Sequence, residues 1–511
     1  VQGRLADAAF SAAARTARAW VGARDARLGL LRRELDAPDA HWNYKDSAAD
    51  CYGHLVIAAH LVAPDLLPAL REMLATERRL FPDTIDLASG AVVETSDDQR
   101  AFGAAEYAKD GLLPVLECLG QTPWSDRLNE VVEQVWVLGA RPTHSGGSVI
   151  LGQAETNGEI LQVVARLWQR TRDPVHLARG RAIVEAYVNE VFPLTGGLPP
   201  RDFDFARGVA SDARLKLRDH GNEMVAGLVE WTLVERAAPD SRLAVYTPAV
   251  EAMLDRLLVD GRDANGLWLD TAGQGARADG MLNDNWGYIS SAFVAYALAL
   301  PDADPRRQPY LDAARRSLRA AGAQRGANWE HGRMDGFADS IESALYLLPY
   351  VDEPGAAAWI DEESGRLQAY AQPDGFVTRM YLDGNFIRTS LLYALWKTAG
   401  IRPVPWRPGL QLGAERDGAA WHVAVQSDQA WHGVLQFDGP RHRETLGLAR
   451  NYPRLNAWPE WFAVEPQATY EIEDRVRGTR ATFSGAALRR GLDVELPAGA
   501  ALHWRVTRLE G

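Results

Sequence analysis

The sequence predicts a mainly α-helical protein in which helical hairpins close into an (α/α)6 or (α/α)7 toroid, followed by a small C-terminal antiparallel β-sandwich. Three observations predict this fold. Helix-like apolar periodicity runs from about residue 4 to residue 400. Glycine turns recur through that region about every 50 to 70 residues, the length of two helices with their connections. After Pro403, short alternating apolar runs replace the helical pattern.

The apolar periodicity predicts fourteen helices, which share abundant Ala, Leu and Arg. In chain order they span residues 4–34, 46–62, 64–80, 100–119, 124–138, 154–171, 174–192, 219–237, 243–258, 285–299, 306–321, 336–350, 354–371 and 385–399.

A glycine turn precedes every second helix, and an irregular linker at residues 37–45 stands before the first pair. Seven linkers with fourteen helices predict helical hairpins that either stack as an open solenoid or close into a ring. The helices after the linkers are richer in Ala, Gly, Ser and Tyr, as inner helices of a closed ring would be. We therefore expect a toroid at residues 1–402. The linker glycines are Gly90, Gly147, Gly197, Gly266, Gly326 and Gly375.

The C-terminal part predicts strands. Residues 421–425, 433–437 and 481–484 are short runs of alternating apolar character, separated by Gly, Pro and Asp. A β-sandwich domain at residues 409–511 follows from this pattern.

The composition is that of a globular protein, with 511 residues, 47% hydrophobic and 24% charged. A formal net charge of −13 argues against a nucleic-acid partner bound through its phosphates. No apolar run approaches the roughly 20 residues of a membrane span, so no membrane partner is expected. With only Cys51 and Cys118, a cysteine-based zinc site is excluded, and we expect neither metal nor cofactor.

The chain starts at Val1 without Met. If a signal peptide has been removed, a periplasmic or secreted location is expected rather than a cytoplasmic one; the sequence alone leaves the compartment and the oligomeric state unknown.

The most informative stretch is NWEHGRMDGFADSIESALYLLPY, residues 328–350. Asp335, Asp339, Glu342 and Tyr346 recur there at i, i+4, i+7 and i+11, so they share one helix face. First-turn acids that complement the helix dipole explain Asp335 and Asp339, but not Glu342, which lies two turns in. This face predicts a catalytic or ligand-binding acidic cluster.

In a toroid the N-terminal ends of the inner helices surround one mouth, so their polar residues converge there. Capping explains Asp46, Asp284 and Asp383 individually. Glu159 and Glu223 are harder to assign to capping, because each follows an earlier polar group by about one turn. The acidic candidates and their polar neighbours are Asp46, Asp50, Glu155, Glu159, His220, Asn222, Glu223, Asp284, Asp383 and Arg388.

The predicted linkers add aromatic and basic groups that suit sugar stacking and carboxylate binding. Packing within loops and solvated loop arginines are the alternative explanations. The substrate-binding candidates of this kind are Trp42, Trp286, Tyr288, Trp329, His331, Arg379 and Tyr381.

The repeat, the Trp-rich linkers, the acidic inner-helix starts and the appended β domain together resemble the α/α-toroid carbohydrate-active enzymes. These include the unsaturated glucuronyl hydrolases and the heparinase and alginate lyase types. The resemblance covers most of the chain but is architectural, so it assigns no catalytic residue. It implies an enzyme that acts on an oligo- or polysaccharide.

Two chemistries remain open, and a non-catalytic glycan-binding scaffold is a third possibility. A hydrolase needs paired carboxylates, and the density of acids favours this chemistry on a uronic-acid-containing or other acidic glycan. A lyase needs a His or Tyr base with a group that neutralises the uronate, for which His220, Tyr288 and Arg388 could serve. The expected catalytic residues are Asp46, His220, Glu223, Asp284, Asp339 and Glu342.

Overall fold

The computed structural model describes residues 1–37, 41–80, 83–218, 221–272, 282–379 and 382–509. The helices of the N-terminal part are α1 Gln2–Gly22, α2 Gly53–Leu61, α3 Leu67–Arg79, α4 Asp97–Glu106, α5 Leu113–Leu119, α6 Pro123–Gly139, α7 Ala154–Thr171, α8 Pro174–Ala186, α9 Phe192–Thr195, α10 Glu223–Glu235, α11 Leu243–Asp260, α12 Trp286–Ala299, α13 Arg307–Gly322, α14 Met334–Leu347, α15 Ala356–Gln368 and α16 Asn385–Lys397. Wider π-helical turns at Tyr44–Tyr52, Tyr107–Leu112 and Tyr187–Val191 continue neighbouring helices.

The helices form two concentric layers, and the inner layer is a closed ring. Within the described residues, α2 with its preceding π-helical turn, α4–α5, α7, α10, α12, α14 and α16 pack each against the next, and α16 packs back against α2. The outer helices α1, α3, α6, α8, α11, α13 and α15 cover them, and α1 closes the outer layer against α16. The predicted toroid is confirmed, and the described inner helices number seven.

The linker glycines stand where the chain turns from an outer helix to the next inner one. All six have positive φ, between 72° and 97°. At Gly266, φ is 97° and a Cβ atom would lie 3.0 Å from Cβ of Arg316, so a larger residue would be strained in its backbone and crowded by Arg316. The predicted repeat thus marks the outer-to-inner turns of the ring.

Small residues allow the inner helices to approach one another closely. At Gly287, on α12, a Cβ atom would lie 2.4 Å from Cβ of Ser343 on α14, and the Gly287 amide donates to Ser343 Oγ at 3.0 Å. The richness in Gly, Ala and Ser of the inner helices is therefore a packing requirement of the ring.

One predicted helix is too long. The sequence predicts a helix over 4–34, whereas α1 ends at Gly22 and residues 23–37 form an irregular segment. The segment contains Arg24 and Arg33, in keeping with the Arg-rich composition of the predicted helices, but it is not helical. The backbone turns at Gly29, which has a φ of 72°.

The C-terminal part is an antiparallel β-sandwich. Its strands are β5 Arg402–Val404, β6 Leu410–Asp417, β7 Ala420–Ser427, β8 Trp431–Gln436, β9 Thr469–Asp474, β10 Thr479–Ser484, β11 Leu492–Leu496 and β12 Ala501–Arg508. The toroid itself contains two short hairpins, β1 Ala140–Pro142 with β2 Ser148–Ile150 and β3 Asp202–Asp204 with β4 Val209–Asp212. A five-stranded sheet (β10-β9-β12-β7-β6) and a three-stranded sheet (β11-β8-β5) share one apolar core. The three predicted strands correspond to β7, β8 and β10. Strand β5 lies before residue 409, the predicted start of the domain.

A segment of the C-terminal part closes one end of the toroid. Between the short helix α17 (Arg441–Glu444) and β9, Leu446, Leu448 and Leu455 join the toroid core. Arg166, in the C-terminal half of α7, donates to the Leu455 carbonyl at 2.9 Å. Since this end is formed by the C-termini of the inner helices, the opposite mouth, formed by their N-termini, stays accessible. No helix in the described ranges is long and apolar enough to cross a bilayer.

Candidate active site

The open mouth of the ring contains two adjacent cavities that share Asp46 and Asp50. The first, of about 550 Å³, lies over the N-terminal ends of α14 and α16. The second, of about 880 Å³, extends across α4 and the start of α7. We refer to these two cavities together as the mouth cleft. The acidic residues that line its first cavity are Asp46, Asp50, Asp110, Glu330, Asp335, Asp339 and Asp383.

Helix α14 carries the acidic face that the sequence predicts, and it runs from the cleft into the ring interior. Asp335 accepts a hydrogen bond from Asn385 Nδ2 at 2.5 Å, and Asp339 accepts from Arg388 Nη2 at 2.7 Å. Both line the cleft. Two turns further on, Glu342 is 0% exposed and lies below it. The residues at i and i+4, Asp335 and Asp339, therefore line the cleft, whereas Glu342 at i+7 is buried in the ring interior.

Glu342 is part of a buried ion-pair network. Arg388 Nη2 lies 2.6 Å from Glu342 Oε2, the Tyr288 hydroxyl donates to the same carboxylate at 2.9 Å, and the Tyr346 hydroxyl also donates to it. Glu342 lines neither cavity. Its carboxylate holds Arg388 and Tyr288 in place, and its catalytic role stays a prediction.

Glu223 lies in a similar buried network, and its catalytic role also stays a prediction. It is 0% exposed at the start of α10, where Lys109 Nζ and Gln162 Nε2 each lie 2.5 Å from its carboxylate oxygens. Lys109 also pairs with Asp110 at 2.8 Å. Glu223 thus neutralises a buried lysine below the cleft.

Asp284 precedes α12 and lies beside the cleft. Burial, together with the neighbouring charges of Asp335 and Glu330, raises the pKa of Asp284 to about 7. Asp284 is only 6% exposed, and its Oδ1 accepts a hydrogen bond from the backbone amide of Asn285 at 3.1 Å. Near neutral pH this carboxyl is therefore able to carry a proton.

Two further acids in the cleft have raised pKa values. Burial and the charge of Asp335 hold the pKa of Asp339 well above its usual range, against the opposing effect of Arg388. Burial, Asp335 and Asp50 do the same for the pKa of Asp383. Asp383 also accepts a hydrogen bond from the backbone amide of Asn385 at 2.7 Å. It therefore caps the start of α16 and lines the cleft at the same time.

Asp46 lies where both cavities meet. It accepts from Asn43 Nδ2 at 2.8 Å and pairs with Arg33 Nε at 2.7 Å. Its carboxylate is thus oriented by a cap residue and an arginine from the irregular segment after α1. The predicted convergence of Asp46, Asp284 and Asp339 at one mouth agrees with these positions; their catalytic roles remain predictions.

The predicted sugar-stacking tryptophans are corrected. Trp42, Trp286 and Trp329 are each 0% exposed and belong to the hydrophobic core. Trp286 Nε1 donates to Ser340 Oγ at 3.1 Å, and Trp329 Nε1 to Glu363 Oε2 at 3.3 Å. These residues stabilise the ring because their large apolar surfaces fill the space between the helical layers.

The other predicted binding residues separate into two groups. Asn222 is 1% exposed and donates to the Leu217 carbonyl at 3.1 Å, so it anchors the preceding loop rather than a ligand. Arg379 pairs with Asp36 at 2.8 Å on the surface and lines neither cavity. His331 is exposed beside Glu330. Tyr288 and Arg388 line the cleft. His220 and Tyr381 lie outside the described residues.

Sequence reasoning ranked several cleft residues too low and missed others. Asp335, Asp50 and Asp383 were named as acids at the starts of inner helices, but they were not among the expected catalytic residues. Glu330 sits at a φ of 45° in the 3-10 turn Trp329–Gly332, which no sequence pattern predicts. Glu106, at the end of α4, gave no signal because it stands inside an Ala-rich helix.

Comparisons with known proteins identify no family. No family model and no curated protein matches the chain. Among solved structures, the chain is similar to a possible member of the GH105 family from Salmonella enterica (14% identity, 60% of this chain and 85% of that one, TM-score 0.41). It is also similar to an unsaturated glucuronyl hydrolase specific for heparin (11%, 71% and 96%, 0.40) and to the GH76A α-1,6-mannanase of a Salegentibacter species (14%, 77% and 100%, 0.39).

These solved structures, together with a polysaccharide lyase of 15% identity and TM-score 0.39, are carbohydrate-active enzymes of the kinds that the sequence resembles. At such identities and TM-scores, no residue role and no activity passes from them to this chain, and its function is argued from its own cleft.

Proposed function

We propose that the protein is a glycoside hydrolase acting on an oligo- or polysaccharide, with Asp284 as general acid and Asp335 as the carboxylate that activates water or attacks the anomeric carbon. The observation that carries this proposal is the convergence of carboxylates from separate inner helices on one cleft. Asp50 comes from the first inner helix and Asp335 is on the sixth, and both line the first cavity. Asp284 precedes the fifth inner helix, and its carboxyl interacts electrostatically with Asp335 and Glu330, which line that cavity. Residues 1–402 would then form the catalytic domain.

The two roles follow from the environments of the two carboxyls. A glycosidase needs one carboxyl that is protonated near neutral pH and one that is ionised. Burial and the nearby charge of Asp335 raise the pKa of Asp284 to about 7, which suits the proton donor. Asp335 is half-buried, lines the cleft and accepts a hydrogen bond from Asn385 Nδ2, which orients its carboxyl group for the second role.

The lyase alternative is less well supported by the described residues. Elimination needs a base, and burial together with the charges of Asp339 and Glu342 holds the pKa of Tyr288 well above its usual range. Arg388, the expected partner of a substrate carboxylate, is already paired with Asp339 and Glu342. His220 and Tyr381, outside the described residues, remain the other candidate bases.

The charge of the cleft bears on the substrate. Sequence analysis expected an acidic glycan, but the lining of the first cavity contains seven carboxylates, against Arg333, Arg388 and His54. Arg333 lies 3.2 Å from Glu330, and Arg388 is paired as described. Carboxylates accept hydrogen bonds from sugar hydroxyls and repel uronates, so we favour a neutral or amino-sugar-containing glycan.

The test measures two products in parallel, new reducing ends and the ultraviolet absorbance of a new conjugated double bond. Substrates are neutral, amino-sugar and uronic-acid oligosaccharides. Hydrolysis predicts reducing ends without absorbance, and a loss of about 100-fold or more in kcat for Asp284→Asn and Asp335→Asn. Asp302→Asn is the matched control, because its side chain is 96% exposed beyond the far end of α12.

Three results would contradict the proposal in different ways. Rising absorbance would establish β-elimination and move attention to the histidine and tyrosine bases. Full activity of Asp284→Asn would remove its role as the acid. Glycan binding without any product, unchanged in Asp335→Asn, would identify a non-catalytic glycan-binding scaffold.

A further inference from the structure

Three glutamates from two neighbouring inner helices form a separate cluster in the second cavity of the mouth cleft. Glu106 is the last residue of α4, and Glu155 and Glu159 lie one turn apart on α7. One carboxylate oxygen from each lies within 4.8 Å of the others. Among the described residues, this is the one group of three or more acidic, histidine or cysteine side chains with such spacing.

Glu159 is the unusual member. It is 0% exposed, and neither of its carboxylate oxygens has a hydrogen-bond partner. A buried polar group without a partner costs free energy, and a buried carboxylate costs more. Two other buried glutamates of inner helices are paired: Glu223 with Lys109 and Gln162, and Glu342 with Arg388 and two tyrosines.

The lysines near the cluster also interact with other groups. Lys109, which faces Glu159 from α4–α5, is already held by Glu223 at 2.5 Å and Asp110 at 2.8 Å. Lys45 lies near Glu106 and Glu155, and its ammonium group stacks 5.2 Å from the centre of the Phe102 ring. Lys216 lines the same cavity as Lys45, so three carboxylates face one another beside two lysines on their cleft side.

The cluster is reachable from solvent. Glu106 and Glu155 line the second cavity, of about 880 Å³, whereas Glu159 lies behind them. An ion entering the cleft would thus meet two accessible carboxylates in front of a buried third one, and water from the cleft could complete its coordination shell.

We propose that Glu106, Glu155 and Glu159 bind a divalent hard cation, with Ca²⁺ as the first candidate. The donor set consists of carboxylate oxygens alone, which hard cations prefer and which disfavours zinc. Oxygens up to 4.8 Å apart fit around an ion with bonds of about 2.4 Å, the calcium distance. The bound ion would join α4 to α7 at the mouth, and it would give both unpaired oxygens of Glu159 a partner. This site departs from the expectation of no metal drawn from the sequence.

The experiment uses the full chain after treatment with EDTA and removal of the chelator. CaCl₂ is titrated in a calorimeter, and the thermal midpoint is recorded with and without 1 mM Ca²⁺, with Mg²⁺ and Mn²⁺ in parallel. We expect saturable Ca²⁺ binding with one site and a rise in the thermal midpoint, because the ion binds the folded chain selectively.

Two variants and a control locate the site. Glu159→Gln should weaken Ca²⁺ binding at least 10-fold and abolish the rise in thermal midpoint. Glu155→Gln, a half-buried residue, should do the same and serves if the first variant does not fold. Glu363→Gln is the matched control, since Glu363 is also 0% exposed but lies on the outer helix α15, and it should bind Ca²⁺ as the unmodified chain does.

The absence of heat and of any midpoint change with all three ions would overturn the proposal. So would unchanged Ca²⁺ binding in Glu159→Gln or Glu155→Gln, since the ion would then bind elsewhere. The proposal does not depend on the hydrolase activity, because every readout is binding or stability.

Discussion

Replacing Asp284 by Asn should stabilise the protein at alkaline pH while removing its activity. The carboxyl of Asp284 has a pKa raised from 3.8 to about 7 by burial and by Asp335 and Glu330. Below pH 3.8 it is protonated in folded and unfolded chains alike. Between pH 3.8 and about 7 the unfolded chain releases the proton and the folded chain keeps it, so stability falls as pH rises.

The size of the effect follows from that difference. At about 1.4 kcal/mol for each pH unit, the interval from 3.8 to about 7 corresponds to as much as about 4 kcal/mol. Asn resembles the protonated carboxyl in shape and carries no charge. The stability gained by Asp284→Asn should therefore be small at pH 4, should grow up to about pH 7, and should stay constant above it.

The assay is a series of thermal denaturation midpoints from pH 4 to pH 8.5 for the unmodified chain, Asp284→Asn and the exposed control Asp302→Asn. Curves for Asp284→Asn and the unmodified chain should diverge as pH rises, and those for Asp302→Asn should not. Parallel curves for all three proteins would refute the reasoning, because they would mean that Asp284 titrates alike in the folded and unfolded states.

Four other outcomes are expected. The kcat/KM of the unmodified enzyme should fall above about pH 7 as the acid Asp284 loses its proton, and a flat profile would argue against that role. Glu342→Gln should lower stability by about 3 to 5 kcal/mol by breaking a buried ion pair with Arg388, measurable by thermal denaturation; an unchanged midpoint would contradict this. Tyr288→Phe, which removes one of several hydrogen bonds to Glu342, should cost only about 1 kcal/mol in the same assay. Gly287→Ala places a methyl group 2.4 Å from Ser343 Cβ and should cost about 1 to 3 kcal/mol, whereas Gly22→Ala, with open space around it, should cost little.

The helical layers were predictable because their signals are local. Apolar periodicity and glycine turns depend on neighbouring residues, so the fourteen helices and the six glycine linkers could be recognised before any contact was known. The error at α1 has a local cause too: residues 23–34 keep an Arg- and Leu-rich composition while the chain bends at Gly29. Closure of the ring, by contrast, depended on whether α16 packs against α2, a contact between helices far apart in the sequence.

The site was predictable as a region but not as a set of residues. An acidic face on α14 was visible in the sequence, yet the spacing alone could not tell that Asp335 opens to the cleft while Glu342 is buried in an ion pair. The difference is position along the helix: Asp335 is in the first turn of α14 and lines the cleft, whereas Glu342 lies two turns further on and is 0% exposed. The tryptophans illustrate the same difficulty, since Trp329 in a linker fills the core.

The sequence by itself determined the elements: helical hairpins, their glycine turns, the change to strands after residue 402, and the acids at the starts of inner helices. Each rests on interactions within a few residues along the chain. Only the tertiary structure decided which acids share a cleft, which are neutralised by distant partners such as Lys109 and Arg388, and which, like Glu159, are left without one. Electrostatic environment is a property of groups brought together through space, and therefore of the closed ring rather than of any single helix.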